Sequence, residues 1–569
     1  MSEEAIRQAV QQALAEMGVE DADVHLEQPK DPSHGDVTTN VALTLAKTLG
    51  RSPRAIAEEL VALIVSRDLA IEESGIESAS VAGPGFVNFK LGSGQVASGL
   101  VDIIGADEGY GRCDEGGGES IMVEFVSANP TGPLHVGHGR QGAIGDAIAA
   151  LLDWTGWSVS REYYYNDAGV QIDRLAESVW TRYQQHLGQD AEIPEGGYQG
   201  EYVRDIAASL AEEHGDRFVG KQDEEALEVM RTTAVRMLRE EQDRDLSDFG
   251  IHFDVFFLES SIYEEGRVES TVEALRETGK VYDLDGAVWL RTTEYGDQKD
   301  RVMIKGDGSP TYFLPDVAYH MDKWGRGFHH AINVQGADHH GTIARVQAGV
   351  QALGLPAGYP EYVLHQMVRV EQDGKEVKFS KRAGSYTTLR ELMTEVGVDV
   401  TRYFFQMRKP DGHLVFDLDL ALDQSDKNPV YKVQYAHARM CSIFKKAGLK
   451  RSSIGTEGVD LAVLVTDAER EVIKALVRFP DLVRNAARLR APHLICDYLE
   501  QTAGAVNSWY HAGNPSRSPD LAVLVEDESL RNARLALARS IQIVLRNGLT
   551  ILGIVAPEQM VRADEETTP

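Results

Sequence analysis

Two histidines three residues apart, His135 and His138, lie in the stretch Asn129-Pro-Thr-Gly-Pro-Leu-His-Val-Gly-His138. On a helix, residues at this spacing lie on the same side, so both imidazoles would face one ligand. Imidazole N–H groups can donate hydrogen bonds to phosphoryl oxygens. Gly137, between them, lets a ligand approach the backbone closely. The pattern predicts an ATP site, and a pair of histidines that cap or pack a helix is the alternative.

A second group of residues that could contact phosphate follows the Asp373-Gly374 turn. The run Val377-Lys-Phe-Ser-Lys-Arg382 contains three cations, Lys378, Lys381 and Arg382, and the hydroxyl group of Ser380. Ammonium groups can neutralise the oxygens of a triphosphate, and a hydroxyl can donate to them. A solvated basic loop is the alternative, since that is the common explanation of a single run of positive charge.

The histidine pair needs a strand and a helix to position it. The apolar run 121–126 predicts a short buried strand before the pair, and residues 141–152 predict a helix after it. His135 and His138 therefore lie on a turn from a strand to a helix. Free backbone N–H groups and the positive end of the helix dipole make such a turn attractive to phosphate.

Together the two stretches resemble the two signature motifs of class I aminoacyl-tRNA synthetases. The order is right, and 240 residues separate His138 from Lys378. Four further stretches are similar to arginyl-tRNA synthetases: Val123-Glu-Phe-Val-Ser-Ala-Asn-Pro130, Gly336-Ala-Asp-His-His-Gly341, Val433-Gln-Tyr-Ala-His-Ala-Arg439 and Leu545-Arg-Asn-Gly-Leu549. The resemblance runs from about Pro29 to about Met560, which is nearly the whole chain.

The resemblance implies ATP-dependent ligation of L-arginine to tRNA(Arg) through an arginyl-adenylate. Positioning and charge stabilisation would carry both steps, with Mg²⁺ bridging the phosphate oxygens of ATP. The implied catalytic residues are His135, His138, Lys378 and Lys381. The implied ATP contacts are made by these four residues together with Gly137 and Ser380. Phe379 takes the place of the methionine of the second motif, and both side chains are apolar.

The resemblance also implies a set of arginine-binding residues: Ser127, Asn129, His138, Tyr312, Asp316 and Gln335. Ser127 and Asn129 match positions that hold the amino and carboxylate groups of the substrate. Tyr312 and Asp316 match positions that read the guanidinium, and a spacing of four would align them on one helical face. Asp338-His-His340 could suggest a metal, but two adjacent histidines diverge on either a helix or a strand. We therefore expect no metal held by the protein.

From Ile121 to about Lys409, short apolar runs alternate with helical segments, which predicts a Rossmann-like α/β core with a doubly wound parallel sheet. The candidate strands are 121–126, 159–164, 287–290, 331–335 and 361–369. We expect an α+β domain before this core and an all-α bundle after it. The predicted domains are an N-terminal domain at 1–104, a Gly-rich linker at 105–118, a catalytic domain at 119–410 with a helical connective insertion at 171–268, and a helical anticodon-binding domain at 411–569.

Two regions are predicted to bind tRNA. Residues 427–451 hold seven cations and no Asp or Glu, and Lys432, Tyr435, Arg439 and Lys446 share one face of the predicted helix. A basic face with an aromatic side chain can neutralise phosphates and stack on unpaired bases. Four arginines near the C-terminus repeat the pattern: Arg531, Arg534, Arg539 and Arg546. By resemblance, the N-terminal domain packs on the D-loop of the tRNA and Asn88 contacts a base. An asparagine that satisfies backbone groups at a strand edge is the alternative.

The composition fits a soluble, cytoplasmic protein with no membrane association, and we expect a monomer. The three cysteines suggest neither a zinc site nor a disulfide framework. The net charge of −32, with 18 Lys against 39 Arg, is typical of proteins adapted to concentrated salt, and an acidic surface that faces away from the RNA is the alternative. Three alternatives stay open: a class I synthetase of other specificity, a catalytically inactive tRNA-binding relative, and a nucleotidyltransferase acting on a small metabolite.

Overall fold

The computed structural model describes residues 3–20, 22–27, 37–66, 76–91, 93–167, 169–377, 386–514 and 517–560. The predictions about Lys378, Ser380 and Lys381, and the tail 561–569, fall outside the described residues. The chain divides into two units. One unit comprises Met1–Tyr110, Ala436–Phe479 and Thr502–Leu545, and the other comprises Gly111–Tyr435, Pro480–Gln501 and Arg546–Pro569.

The N-terminal segment combines helices with an antiparallel sheet of four strands in the order β1-β2-β4-β3. Its strands are β1 (Leu26–Glu27), β2 (Val37–Thr39), β3 (Ile76–Ala82) and β4 (Phe86–Leu91), and its helices are α1 (Glu3–Glu16), α2 (Val41–Leu49), α3 (Pro53–Ser66) and α4 (Ser93–Ala106). The apolar side chains of Val87 and Phe89 are fully buried. Both sides of β4 are therefore covered, because its intervening residue Asn88 is also buried.

The second unit contains a parallel sheet of five strands in the order β12-β11-β5-β6-β7. The strands are β5 (Ser120–Glu124), β6 (Ser158–Tyr165), β7 (Val255–Leu258), β11 (His330–Gly336) and β12 (Glu361–His365). The strand order reverses between β5 and β11, as in a doubly wound sheet. Ligands of such sheets bind beyond the carboxyl ends of the strands at this reversal, next to Glu124 and Gln335.

Two of the predicted strands differ from the structure. The segment 287–290 is β9 (Ala287–Leu290) of a separate antiparallel sheet with β8 (Val281–Leu284) and β10 (Arg301–Ile304). The Asp285-Gly286 turn, with positive φ at both residues, folds β8 back onto β9 as a hairpin. The prediction that 287–290 belongs to the parallel sheet is therefore wrong. The fifth parallel strand is instead β7, which lies within the predicted insertion.

The predicted strand 361–369 is interrupted at Gln366 and Met367. Its second part is β13 (Val368–Gln372), which pairs with β14 (Lys375–Glu376) and β15 (Leu414–Asp417) in a third sheet. The hairpin of β13 and β14 turns at Asp373 and Gly374, both with positive φ. It ends immediately before the undescribed residues 378–385.

The remaining elements are helices. Those from 136 to 352 are α5 (Val136–Trp154), α6 (Val170–His186), α7 (Glu201–His214), α8 (Glu224–Asp248), α9 (Glu259–Glu264), α10 (Arg267–Glu277), α11 (Phe313–Gly325) and α12 (His340–Ala352). Those beyond are α13 (Leu389–Val396), α14 (Val398–Gln406), α15 (Leu418–Leu422), α16 (Pro429–Lys446), α17 (Asp467–Val477), α18 (Phe479–Arg488), α19 (His493–Ala512) and α20 (Glu528–Ile551). The helical character predicted for the C-terminal part is confirmed.

Candidate active site

The turn after β5 is held in an unusual backbone conformation. Val126 and Ser127 have φ values of 68° and 42°, which non-glycine residues rarely adopt and which cost roughly 1–3 kcal/mol each. The Tyr163 hydroxyl clamps the turn, because it donates to the Ala128 carbonyl at 2.9 Å and accepts from the Ala128 N–H at 3.0 Å. Such strain persists only where the surroundings fix it, so the turn is held in place at the carboxyl end of β5.

The two signature histidines cap helix α5 reciprocally. His135 is the N-cap, and its Nδ1 accepts the His138 N–H at 3.2 Å, while Nδ1 of His138 accepts the His135 N–H at 3.4 Å. The rings stack with their centroids 3.6 Å apart. Because Nδ1 of each neutral ring is an acceptor, its proton must lie on Nε2. Capping thus leaves both Nε2–H groups as donors for a ligand.

Burial keeps these imidazoles neutral. It lowers the pKa of His135, and it lowers the pKa of His138 well below its usual value, with additional repulsion from His135 and His365. His365 ends β12 beside them, and burial lowers its pKa to about 4. Gly137 is required next to this pair, since a Cβ there would lie 2.8 Å from Cε1 of the His135 ring.

Residues 386–389 are attached to the histidine turn. The Val136 N–H donates to the Thr387 carbonyl at 3.2 Å, and the Leu389 N–H donates to the Leu134 carbonyl at 2.8 Å. The Tyr386 hydroxyl donates to the Pro133 carbonyl at 3.3 Å. The chain that carries the second motif therefore re-enters the described structure against the first motif.

The carboxyl groups of Glu124, Glu259 and Asp316 lie together at the reversal of the sheet and form an acidic pocket. Ser127 Oγ donates to Oε1 of Glu124 at 3.0 Å, and Tyr164 donates its hydroxyl to Glu259. Asp316 shares this environment: burial, followed by repulsion from Glu259 and Glu124, raises its pKa to about 7. A bound cation would relieve the repulsion that Glu259 and Glu124 exert on ionised Asp316, so the pocket suits a positively charged ligand.

The arrangement matches known proteins along nearly the whole chain. Residues 4–91 match the family model "Arginyl tRNA synthetase N terminal domain", residues 102–409 match "tRNA synthetases class I (R), catalytic domain", and residues 433–560 match "DALR anticodon binding domain". The chain belongs to the arginyl-tRNA synthetase family. The resemblance inferred from the motifs is thereby confirmed.

Individual relatives and solved structures agree with this family membership. The arginine–tRNA ligase of Geotalea uraniireducens is 51% identical over 546 residues, covering 94% of both chains. That of Ralstonia nicotianae is 47% identical over 587 residues, covering 95% of this chain and 96% of the relative. The arginyl-tRNA synthetase structure from Thermus thermophilus superposes with a TM-score of 0.76 and 25% identity, covering 98% of this chain and all of the other. The predicted fold class is confirmed.

Of the side chains predicted to bind arginine, Asp316 belongs to the acidic pocket and Ser127 contacts it through Glu124. Asp316 lies in the first turn of α11 and Tyr312 is the N-cap of that helix, so the expected spacing of one turn holds. Tyr312 is 83% exposed, which leaves its hydroxyl open to solvent. Gln335 lies near the end of β11, and its buried Oε1 has no hydrogen-bond partner among the described residues. Asn129 donates from Nδ2 to Gln171 Oε1 at 2.7 Å.

The sequence analysis missed Glu259 and did not include Glu124 among the arginine-binding residues. Both residues directly adjoin the carboxyl end of a parallel strand, Glu124 as the last residue of β5 and Glu259 just after β7. A carboxylate at such a position is a signal for a ligand site. The signal at Glu259 was hidden because β7 had been assigned to the helical insertion.

The residues predicted to bind tRNA differ in accessibility. Lys432, Tyr435, Arg439 and Lys446 all lie on α16, and Lys446 is exposed. Arg439 donates to Asn507 Oδ1 at 2.7 Å and lies 4.5 Å from the centre of the Tyr510 ring. Asn88 is only 5% exposed, in the interior strand β4. Their contacts with tRNA stay predictions.

Two of the four C-terminal arginines do not repeat the pattern of a basic surface. Arg534 is 2% exposed, and its Nε donates to Glu469 at 2.8 Å. Arg539 is also buried and donates to Asp107 at 2.6 Å and to Gln542. Both guanidinium groups are engaged inside the fold, so the interpretation of these two arginines as RNA-facing is wrong.

No helix within the described ranges is both long and apolar enough to cross a bilayer. Among the same residues, no cluster of three His, Cys, Asp or Glu side chains is arranged to hold a metal ion.

Proposed function

We propose that this protein ligates L-arginine to tRNA(Arg) in two steps. The arginine carboxylate attacks the α-phosphorus of ATP and expels pyrophosphate. The terminal adenosine of the tRNA then receives the arginyl group from the adenylate through its 2′-hydroxyl. The observation that carries the proposal is the acidic pocket of Glu124, Glu259 and Asp316 at the sheet reversal, next to a histidine-capped helix N-terminus. The acidic pocket suits a guanidinium, and the N-terminus of the helix suits phosphate.

The nucleotide is bound by imidazole N–H groups that donate hydrogen bonds in their neutral form. His135 and His138 donate from Nε2 to the phosphoryl oxygens as negative charge builds in the transition state, and Gly137 admits the nucleotide to the backbone. ATP enters as its Mg²⁺ complex, with the metal as part of the substrate. Lys378, Ser380 and Lys381 are proposed to contact the β- and γ-phosphates.

The arginine part uses the carboxylates. Asp316 accepts two parallel hydrogen bonds from the planar guanidinium, with Tyr312 and Glu259 as further partners. The α-amino group binds at Ser127 and Glu124, and the carboxylate of the substrate binds at Asn129. His138 contacts the same substrate where it meets ATP, and Gln335 supplies its unpartnered Oε1 as an acceptor.

The tRNA is proposed to contact the N-terminal domain through Asn88 and the helical domain through α16. Lys432, Arg439 and Lys446 would neutralise phosphates, and Tyr435 would stack on an unpaired base. We propose a monomer that acts in the cytoplasm, where charged tRNA is consumed. The domain boundaries predicted above are retained as proposals.

The test is ATP–pyrophosphate exchange with each amino acid, with and without tRNA(Arg). We expect exchange with arginine alone among the amino acids, and only when tRNA is present, as members of this family typically require. Exchange with a different amino acid would reassign the enzyme to another class I specificity. Absence of exchange with every amino acid, despite tRNA binding, would favour an inactive relative. The variant Asp316→Asn is the matched control, since it should lose the arginine response.

A further inference from the structure

A fully buried ammonium lies directly behind the arginine pocket. Lys323, on α11, has no exposed surface, and its Nζ donates to Oε2 of Glu124 at 2.5 Å and to Oδ1 of Asn333 at 3.0 Å. The same Nζ lies 4.3 Å from the centre of the Tyr319 ring. The ammonium therefore has partners on two sheet strands, β5 and β11, and on its own helix.

The contact continues from Glu124 to the strained turn. While Lys323 engages Oε2, the other oxygen of Glu124 accepts the Ser127 hydroxyl at 3.0 Å, and Ser127 Oγ accepts the Tyr164 N–H at 3.2 Å. A carboxylate held at both oxygens has a fixed plane. A continuous chain of hydrogen bonds thus runs from Asn333 through Lys323 and Glu124 to Ser127.

Stability alone does not account for this buried pair. An ion pair in an apolar interior gains little over hydrophobic residues of the same volume, because removing two charges from water is costly. The pair nevertheless occupies the carboxyl end of β5 at the reversal of the sheet, where ligands bind. Lys323 also lies two helical turns from Asp316 on the same side of α11. One helix therefore carries both the guanidinium acceptor and the residue that holds Glu124.

We propose that Lys323 is a positioning residue for the substrate: its ammonium fixes the Glu124 carboxylate in the orientation that receives the α-amino group of arginine. The inference rests on the proposed function, since it requires that this pocket bind arginine. Lys323 itself touches no substrate. It acts through Glu124, so its loss should weaken recognition of the amino group much more than recognition of the guanidinium or of ATP.

The test compares two ligands on the full-length protein by titration calorimetry. One is arginine, and the other is 5-guanidinopentanoic acid, which keeps the guanidinium and carboxylate but lacks the α-amino group. We expect the unchanged protein to prefer arginine by roughly tenfold or more, as for a hydrogen bond to a charged group. Lys323→Met should remove most of this preference, with the affinity for 5-guanidinopentanoic acid within about threefold of the original.

The matched control is Arg326→Met. Arg326 pairs with fully buried Glu162 at 2.6 Å at the end of the same helix, and Glu162 also accepts the Tyr319 hydroxyl. Among the described residues, no hydrogen bond between side chains joins this pair to Glu124 or Ser127. This variant should melt at a lower temperature and keep the preference for arginine. If Lys323→Met fails to fold, Lys323→Gln replaces it, because an amide of similar length removes the charge and keeps a donor.

The outcomes separate the inference from the proposed function. Loss of the preference in a folded Lys323 variant, with the preference intact in Arg326→Met, supports the inference. A folded Lys323 variant that still prefers arginine as strongly as the unchanged protein overturns it and leaves the proposed function standing. No arginine binding by the unchanged protein overturns the proposed function and the inference with it.

Discussion

His135 and His138 cap the same helix through each other's backbone: Nδ1 of each ring accepts the N–H of the other residue, at 3.2 and 3.4 Å. The reciprocal cap joins the two interpretations that the sequence left open. The histidines are structural caps through Nδ1, and for that reason they present Nε2–H to a ligand. A single pair of side chains thus fixes the start of the helix and the tautomer that the proposed phosphate contacts require.

The two roles of His135 can be separated by substitution. Serine is a good N-cap but has no group that can replace Nε2–H, whereas alanine provides neither. We expect His135→Ser to melt close to the unchanged protein, and His135→Ala to lose about 1 kcal/mol of unfolding free energy. Both should lose roughly 10²–10³-fold in pyrophosphate exchange, as when one transition-state donor is removed. Near-normal exchange by His135→Ser would show that Nε2 does not contact the nucleotide.

Arginine binding should release protons near neutral pH. Burial, with repulsion from Glu259 and Glu124, raises the pKa of Asp316 to about 7, so this carboxyl is part-protonated at that pH. A bound guanidinium favours the ionised form, which predicts release of about half a proton per arginine at pH 7 and tighter binding as pH rises from 6 to 8. Calorimetry in two buffers of different ionisation enthalpy measures the release. Glu259→Gln should reduce it, and equal enthalpies in both buffers would contradict the assignment.

Asp316→Asn should remove arginine activation without harming the fold. The amide places a donor against the donors of the guanidinium. We therefore expect a loss in kcat/KM for arginine that corresponds to several kcal/mol of transition-state stabilisation, with KM for ATP nearly unchanged. The pKa of Asp316 is raised in the folded state to about 7. Its contribution to stability is therefore present below the unfolded pKa of about 3.8 and is lost as pH rises through about 7.

It follows that ionised Asp316 opposes folding in the absence of arginine. Above pH 7 the Asp316→Asn protein should melt no lower than the unchanged protein. A clearly lower melting temperature at pH 8, with broad loss of ATP and tRNA binding, would mean that Asp316 is a structural residue.

Lys432 and Lys446 on α16 predict a measurable contribution to the salt dependence of tRNA binding. Lys432→Ala combined with Lys446→Ala should flatten the slope of log K against log salt by roughly 0.7–0.9 for each lost phosphate contact. Arginine and ATP affinities should stay the same. Arg439 is less suitable for this test, because it bonds to Asn507 and packs on Tyr510. Arg534→Met is the control: it breaks the buried bond to Glu469, so it should lower the melting temperature and leave the slope intact.

Local sequence patterns were sufficient to predict several strands and one long helix. Short runs rich in apolar and aromatic residues identified β5, β6, β11 and β12, and the first three of these strands are each followed by a helix. The chain from Lys427 to Arg451 similarly indicated one long helix, which is α16. The motifs at His135 and Lys378, with the flanking stretch from Val123 to Pro130, identified the family, since each motif needs only neighbouring residues to be recognisable.

Tertiary packing decided the rest. Neighbouring strands in a sheet are chosen by contacts between distant segments, so the sequence assigned β9 to the wrong sheet and hid β7 together with Glu259. Whether an arginine faces solvent also depends on what packs over it, and Arg534 and Arg539 meet Glu469 and Asp107 inside the fold. Lys323 shows the same limit most clearly. Its sequence position says only that it lies on a helix, and its meeting with Glu124, 199 residues earlier, exists only once α11 packs against the sheet.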